Sequence, residues 1–175
     1  MFNQDFYFST IRKYVSLFGT IFSEINISRL NPASNTTMYT RVPITYAQKE
    51  KMLARVEQAA TADRASASLT LPVMSFEITT IAYDGDRKLK TTGRSVFANS
   101  LTSASLQYQY NPVPYDVGFS LYIWVKNAED GTKIVEQILP YFTPDFTVTV
   151  IMIPQFNVKT EVPIIMTGIT QEDKY

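Results

Sequence analysis

The chain has 175 residues, 45% of them apolar, and its sixteen basic side chains balance sixteen acidic ones. This length suits one globular domain, which buries roughly 70% of the surface of its unfolded state. The charge balance argues against specific nucleic-acid binding, which needs clustered Lys and Arg. Histidine and cysteine are both absent, which excludes disulfides, thiolate zinc sites and the commonest general base at neutral pH.

Hydrophobic periodicity predicts three amphipathic helices and six to eight strands. The helices are predicted over residues 5–18, 45–60 and 130–139, and the strands over residues 21–30, 38–44, 72–83, 106–110, 117–126, 147–153 and 162–169. This content is typical of an α+β fold with one twisted, mainly antiparallel sheet and helices packed on a face.

Four residues set the expected limits of the first elements. Gly19 is placed to take the left-handed conformation that ends the first helix. Pro43 lacks an N–H group, so the strand that contains it should lie at a sheet edge. Thr45 and Gln48 match a capping box, which predicts the start of the second helix.

The sequence pattern in the middle of the chain predicts turns and loops rather than metal-binding or partner-binding sites. Residues 84–86 are Asp-Gly-Asp, a hairpin-type turn, and the residues that follow lack the oxygen ligands that a calcium loop needs. We expect a partly extended excursion over residues 91–105 and extended or turning backbone at residues 111–114. Residues 117–126 are apolar on both faces, which suits a central strand. One basic cluster is interpreted as part of a solvated loop, and contact with an acidic partner is the alternative. The cluster consists of Arg87, Lys88, Lys90 and Arg94.

The third predicted helix is the element around which the chain is organised. Asp130 is placed to cap its start, and Pro140 to end it. Its apolar stripe consists of Ile134, Val135, Ile138 and Leu139. An aromatic exit leads from it into the next strand and consists of Tyr141, Phe142 and Phe146.

Motifs for catalysis or cofactor binding are missing from the sequence. It has no G-x-S-x-G motif, no phosphate loop and no dinucleotide fingerprint. A carboxylate pair across a cleft stays open, and Lys126 is a weak candidate base. We therefore predict a protein that is not an enzyme and needs no metal or cofactor.

Targeting signals are also missing. The longest apolar runs fall short of the ~20 residues that span a bilayer, and the N-terminus lacks the pattern of a secretory signal. We expect no membrane partner and assembly in a reducing cytoplasm.

Three blocks of the sequence carry a family resemblance. They are R-V-P-I-T-Y-A at residues 41–47 with Lys49 and Glu50, Q-Y-N-P at residues 109–112 with Pro114, and I-V-E-Q-I-L-P-Y-F at residues 134–142 with Pro144 and Phe146. In this order and spacing they resemble the tail sheath stabiliser and completion proteins, or tail terminators, of contractile-tailed bacteriophages (myoviruses). The resemblance implies one tail-terminator-like domain over residues 1–175. Relatives continue beyond the strand that matches residues 162–169, so a short or truncated member without a C-terminal extension is expected.

The resemblance also implies a role and a set of partners. Such proteins form a six-fold homo-oligomeric ring at the head-proximal end of the virion tail, after assembly in the host cytoplasm. The ring holds the last rings of tail tube and tail sheath proteins and offers a docking surface to the head connector and neck proteins. The alternatives are a terminator or neck protein of another tail type, and an α+β ligand-binding or hydrolytic domain with an aromatic cleft.

Two non-helical segments of these blocks are candidate interfaces. Residues 41–46 and 108–115 are predicted at the rim, where subunit meets subunit or ring meets sheath. The alternative is that their prolines only end strands. The candidate residues are Arg41, Pro43, Tyr46, Tyr108, Asn111, Pro112, Pro114 and Tyr115.

Overall fold

The computed structural model describes residues 7–31, 35–61, 70–98, 106–143, 145–153 and 158–172. The helices are α1 (Thr10–Ile21), α2 (Lys49–Thr61) and α3 (Ala128–Ile138), with a short 3-10 helix at Leu139–Tyr141. The strands are β1 (Asn26–Asn31), β2 (Thr36–Arg41), β3 (Ile44–Tyr46), β4 (Val73–Tyr83), β5 (Arg94–Ala98), β6 (Leu106–Tyr110), β7 (Tyr115–Trp124), β8 (Asp145–Ile153) and β9 (Val158–Ile165). None of the helices in the described part of the chain has the length and apolar character needed to cross a bilayer.

The strands form four hydrogen-bonded sheets over the described residues. Three are antiparallel pairs, β1–β2, β5–β6 and β8–β9, and the fourth has the order β3-β4-β7 with β3 parallel to β4. The α+β class, the three helices and the mainly antiparallel pairing are confirmed. The predicted single sheet is not formed by the described residues, where each of the three pairs joins two strands that are consecutive in sequence.

The chain divides into two compact units. Unit 1 comprises Met1–Phe76 and Tyr122–Tyr175, and unit 2 comprises Glu77–Leu121. The buried apolar core of the described residues belongs to unit 1 and consists of Phe18, Phe22, Ile25, Ile27, Val42, Met52, Val73, Met74, Phe76, Ile134 and Ile138. Alternation over residues 21–30 predicts that this strand is half buried through Ile25 and Ile27, and both residues are buried.

Helix α1 differs from the prediction at both ends. Residues 7–9 lie outside the helix, and Gly19 is helical rather than left-handed. A Cβ at Gly19 would lie 3.3 Å from Cζ of Phe76, a buried ring. Gly19 therefore serves the close approach of α1 to β4, and the predicted helix stop is wrong.

The predicted strand over residues 38–44 is two strands with different partners. The N–H of Val42 donates to the carbonyl of Ile25 (2.9 Å), and the carbonyl of Pro43 accepts from Met74 (2.8 Å). The chain thus passes from β1 to β4 at Pro43, which lies between β2 and β3 and, contrary to the prediction, belongs to neither strand. Over the described residues β3 lies at the edge of its sheet. The capping box at Thr45 is wrong, because β3 runs parallel to β4 and α2 begins only at Lys49.

Helix α3 begins before its predicted cap. Asn127 occupies the N-cap position, and Asp130 lies inside the first turn, only 4% exposed. Its carboxylate forms an ion pair with Arg29 of β1 at 2.7 Å. The α-helix ends before Pro140, as predicted, but Leu139 belongs to the 3-10 helix and is exposed.

Other boundaries shift by several residues. The first strand starts at Asn26 rather than residue 21, and β9 ends at Ile165 rather than residue 169. Within the described pairings β4 is the central strand of its sheet and β7 lies at an edge, so the prediction that residues 117–126 form a central strand is wrong. An apolar pattern on both faces indicates that both faces of a strand are covered, but not that the strand has a neighbour on each side. The small and polar residues 61–70 predict a connecting loop, and most of them lie outside the described residues. So does the second half of the excursion predicted over residues 91–105.

Candidate interaction surfaces

The first candidate segment, residues 41–46, is anchored by its backbone and exposes Arg41, Pro43, Thr45 and Tyr46. Arg41 is exposed, and its Nε donates to the carbonyl of Ser23 at 2.6 Å. Tyr46 is 55% exposed, and its ring lies perpendicular to that of Phe76 at 5.4 Å between centroids. Between them, Val42 is fully buried. The segment therefore presents an arginine and a tyrosine on rigid backbone in unit 1.

The end of the second segment is held by the turn that follows β4. The carbonyl of Pro114 accepts from the N–H of Asp84 at 3.2 Å. The rings of Tyr83 and Tyr115 meet edge to face at 5.7 Å, and each side chain is at least half exposed. Since Thr80 also lies beside Gly118, β4 and β7 run antiparallel here. Tyr115 is thus part of an exposed tyrosine pair in unit 2.

Asn111 closes a small clamp on the turn over residues 90–93. Its Nδ2 donates to the carbonyl of Lys90 at 3.0 Å, and its N–H donates to the carbonyl of Gly93 at 3.1 Å. A Cβ at Gly93 would lie 2.1 Å from Nδ2 of Asn111, so only glycine leaves room for this contact. Asn111 consequently holds the backbone that leads directly into Arg94.

One face of the β5–β6 hairpin carries an arginine between two tyrosines. The register pairs Arg94 with Tyr110 and Val96 with Tyr108, so these four side chains share one face. The guanidinium carbon of Arg94 lies 5.3 and 5.1 Å from the centroids of Tyr108 and Tyr110. The two rings are perpendicular, 5.8 Å apart. All four residues are exposed, and we call this set the hairpin face.

Arg87 of unit 2, unlike Arg94, is bound to carboxylates. The Arg87 guanidinium forms hydrogen bonds with Asp84 and with Asp116. Asp84 also accepts from the backbone N–H groups of Asp86 (2.9 Å) and Arg87 (3.3 Å). The hydrogen bond from Arg87 is the main cause that holds the pKa of the Asp84 carboxyl below its usual value, with the two backbone donors adding to it. This network fixes the turn predicted at residues 84–86.

A shallow cleft in unit 2 lies beside the second candidate segment. Residues 111–114 line it together with Tyr83, Lys88, Leu89 and Thr91, and its volume is about 70 Å³. Among the described residues no three acidic side chains come close enough together to hold a metal ion.

The candidate residues fall into two groups. Arg41, Pro43 and Tyr46 belong to unit 1, and the candidates from Tyr108 to Tyr115 belong to unit 2. Tyr110 and Val96 were not among the candidates, although they share a face with Tyr108. The alternating tyrosines of β6 were visible in the sequence, but only the pairing register with β5 brings Arg94 onto them.

Comparison with known proteins identifies the class to which this fold belongs. A family model described as the tail sheath stabiliser of T4-like viruses of the Myoviridae matches residues 5–175. The chain therefore belongs to this family of structural proteins of the phage tail. Among curated proteins it is similar to the tail completion protein gp15 of Enterobacteria phage T4, with 33% identity over 156 residues. The match covers 87% of the chain and 55% of gp15, so the chain spans about half the length of that relative.

Proposed function

We propose that the chain is a tail completion protein that closes the head-proximal end of a contractile phage tail as a six-fold ring. The ring holds the last tube and sheath rings and presents the surface on which the head connector docks, after assembly in the host cytoplasm. The observation that carries this proposal is the family match over residues 5–175, nearly the whole chain. The similarity to a tail completion protein supports it.

The organisation of the chain is proposed to be one tail-terminator-like domain over residues 1–175. Two strands support this proposal, because β4 and β7 each supply residues to both compact units. One family model that matches residues 5–175, and so spans both units, supports it as well.

Residues 41–46 and 108–115 are proposed to lie at the rim, where subunit meets subunit or ring meets sheath. Both segments combine anchored backbone with exposed side chains of the types enriched in interface cores, Tyr and Arg. Arg41, Tyr46, Tyr108 and Tyr115 supply the exposed contacts. Asn111 anchors the second segment to the turn over residues 90–93. The remaining proposed rim residues are Pro43, Pro112 and Pro114.

Electron microscopy of the purified protein tests the ring. We expect ring-shaped particles with six-fold averages at high protein concentration, and sedimentation at the mass of a hexamer. A protein that sediments as a monomer at every concentration, and shows no rings, would overturn the proposed function.

Two alanine variants test the interface. Arg41→Ala and Tyr115→Ala should each weaken ring formation, because anchors of these types often contribute about 2 kcal/mol or more. Arg55→Ala is the matched control, since Arg55 is exposed on α2 and forms no ion pair with a described carboxylate. Sedimentation and circular dichroism are measured on all three. Rings as stable as those of the wild type in both variants would remove these residues from the interface.

A further inference from the structure

Aspartate followed by glycine occurs twice in the chain, at residues 84–85 and 130–131. This dipeptide is among those most prone to spontaneous rearrangement of the backbone, because glycine has no side chain to shield its amide nitrogen and lets the backbone turn into the reactive geometry. A structural protein of a phage tail is not replaced once the particle has left its host, so such changes accumulate. The two sites differ in the features that decide whether they react.

The rearrangement is a reaction between the aspartate side chain and the next peptide group. The amide nitrogen of the glycine attacks Cγ of the neutral carboxyl group, so that an N–C bond forms and one carboxyl oxygen leaves as water with the amide proton and the acid proton. Water then opens the resulting succinimide ring at either carbonyl. One product is aspartate again, and the other is isoaspartate, in which the main chain runs through the former side chain. The reaction therefore needs a neutral carboxyl group that can move and an amide nitrogen that can be reached.

Residues 130–131 meet neither need. Gly131 lies inside α3, and its N–H donates to the carbonyl of Asn127 at 3.4 Å. The Asp130 carboxylate is buried and paired with Arg29 at 2.7 Å. Attack on this carboxyl group would require the first turn of the helix to open.

Residues 84–85 lie in a surface turn of unit 2 where the amide nitrogen can be reached. Gly85 is exposed, and its N–H donates to no described residue. The nearest described atom to a Cβ at Gly85, apart from its chain neighbours, would be Cε1 of Tyr83 at 3.9 Å. Only the carboxylate is protected, because Arg87 binds it and the N–H groups of Asp86 and Arg87 donate to it.

Arg87 opposes the attack in two ways. Its positive charge keeps the Asp84 carboxyl ionised, as the lowered pKa of this group reflects, and an ionised carboxylate is a poor electrophile because its oxygen cannot leave as water. Ring closure also removes one of the two carboxylate oxygens, and each of the two accepts a hydrogen bond in the folded turn. Because the same guanidinium binds Asp116 of β7, the clamp is held from outside the turn as well.

We propose that Asp84 is the residue at which this chain forms isoaspartate, and that Arg87 sets the rate by clamping its carboxylate. This chemistry stays within one turn and does not depend on the proposed function. Its effect reaches the second candidate segment, because the N–H of Asp84 donates to the carbonyl of Pro114 at 3.2 Å. Isoaspartate adds one carbon to the main chain at this point and so displaces the donor.

Incubation of the purified protein in neutral buffer at physiological temperature tests the proposal. Proteolytic digests are taken over time, and mass spectrometry with electron-transfer fragmentation distinguishes isoaspartate from aspartate at each site. We expect isoaspartate at residue 84 and not at residue 130 while the wild type stays folded. Arg87→Gln should raise the rate at residue 84 about two- to fivefold, the range that corresponds to loss of a partly exposed ion pair, and leave residue 130 unchanged.

The double variant Arg87→Gln/Gly85→Ala is the matched control for the chemistry. A Cβ fits at residue 85, since its nearest described neighbour would be in ordinary van der Waals contact. The added methyl group shields the amide nitrogen, so the rate at residue 84 should fall to that of the wild type or below. A double variant that reacts as fast as Arg87→Gln would show that the Gly85 nitrogen is not the attacking group, which overturns the proposal.

The wild type unfolded in urea gives a comparison that needs no variant. Both protections are lost in urea, so residues 84 and 130 should both form isoaspartate faster than in the folded protein. Circular dichroism shows which samples stay folded, and this comparison decides the matter if Arg87→Gln does not fold. Equal rates at residue 84 in folded wild type and folded Arg87→Gln overturn the proposal. So does isoaspartate that appears at residue 130 before residue 84, or a rate at residue 84 that unfolding leaves unchanged.

Discussion

Single residues take roles in this protein that their sequence neighbours do not reveal. Asp130 resembles a helix cap in sequence, yet it lies inside the first turn of α3 and binds Arg29 of β1 at 2.7 Å. The two partners differ in environment, because the Asp130 side chain is 6% exposed and that of Arg29 is 50% exposed. Removal of one partner therefore leaves a buried charge, and removal of the other leaves a hydrated one.

This asymmetry predicts different costs for the two alanine variants. Arg29→Ala leaves the Asp130 carboxylate buried without its partner and should lower the free energy of unfolding by about 2 kcal/mol or more. Asp130→Ala leaves Arg29 free to regain water and should cost about 1 kcal/mol. Urea unfolding followed by circular dichroism measures both. Equal costs, or the reverse order, would contradict the burial of Asp130.

The lowered pKa of the Asp84 carboxyl predicts that the stability of the folded protein depends on pH. The pKa of its carboxyl is lowered in the folded state by the hydrogen bond from Arg87, so ionised Asp84 favours the folded state. Its contribution is fully present above about pH 4, near the usual value of an aspartate. It is lost as the pH falls through the lower pKa of the folded state. Urea unfolding at pH 5 and pH 2.5 should show a smaller loss of stability in Asp84→Asn than in the wild type.

A neighbouring carboxylate is the control for this experiment. Asp86 forms no ion pair with a described cation, so Asp86→Asn should keep the pH dependence of the wild type. An NMR titration of the Asp84 side-chain carbon checks the sign directly. A midpoint at or above the value of an unstructured aspartate would contradict the role assigned to Arg87.

Among the elements, α3 shows how an apolar stripe and a proline divide one segment into two. Ile134 and Ile138 are buried. Helix α3 also contacts β1, where Gln137 Nε2 donates to the carbonyl of Asn26 at 2.8 Å. Pro140 cannot continue the α-helix, so the chain tightens into a 3-10 turn at Leu139–Tyr141. Leu139 consequently leaves the stripe although its sequence spacing includes it.

Two adjacent aspartate variants test this division. Ile138 is 9% exposed, so Ile138→Asp places an unpaired carboxylate in the core. This should lower the free energy of unfolding by several kcal/mol, which is comparable with the total stability of a domain, about 5–15 kcal/mol. Leu139 is 39% exposed, and Leu139→Asp should leave the protein folded. Thermal melting and expression of soluble protein compare them. Similar melting of both variants would show that Ile138 is not part of the core.

At the scale of the whole molecule, composition predicts that stability does not depend on a metal. The chain contains neither Cys nor His, and structural metal sites that hold a fold together use mostly these ligands. A chelator such as EDTA should therefore leave the melting temperature unchanged. A decrease of several degrees, reversed by added metal, would contradict the prediction.

The sequence by itself determined the fold class and several elements of the chain. Alternation predicted β4 and β6 almost to the residue, and turn residues placed the turn at residues 84–86. These features depend on residues a few positions apart, so local propensity and periodicity are sufficient to predict them. Three short blocks also indicated the family, because their order and spacing can be read from the sequence without knowledge of the fold.

Only the tertiary structure decided which elements meet. Gly19 lies inside a helix and against Phe76, and Asp130 lies in the first turn of α3 and pairs with Arg29. Arg94 joins the tyrosines of β6 because the hairpin register places it there. Each of these pairs joins residues far apart in sequence, and periodicity reports which side of an element is apolar but not which neighbour covers it. The choice of partner follows from packing and hydrogen bonding of the whole chain.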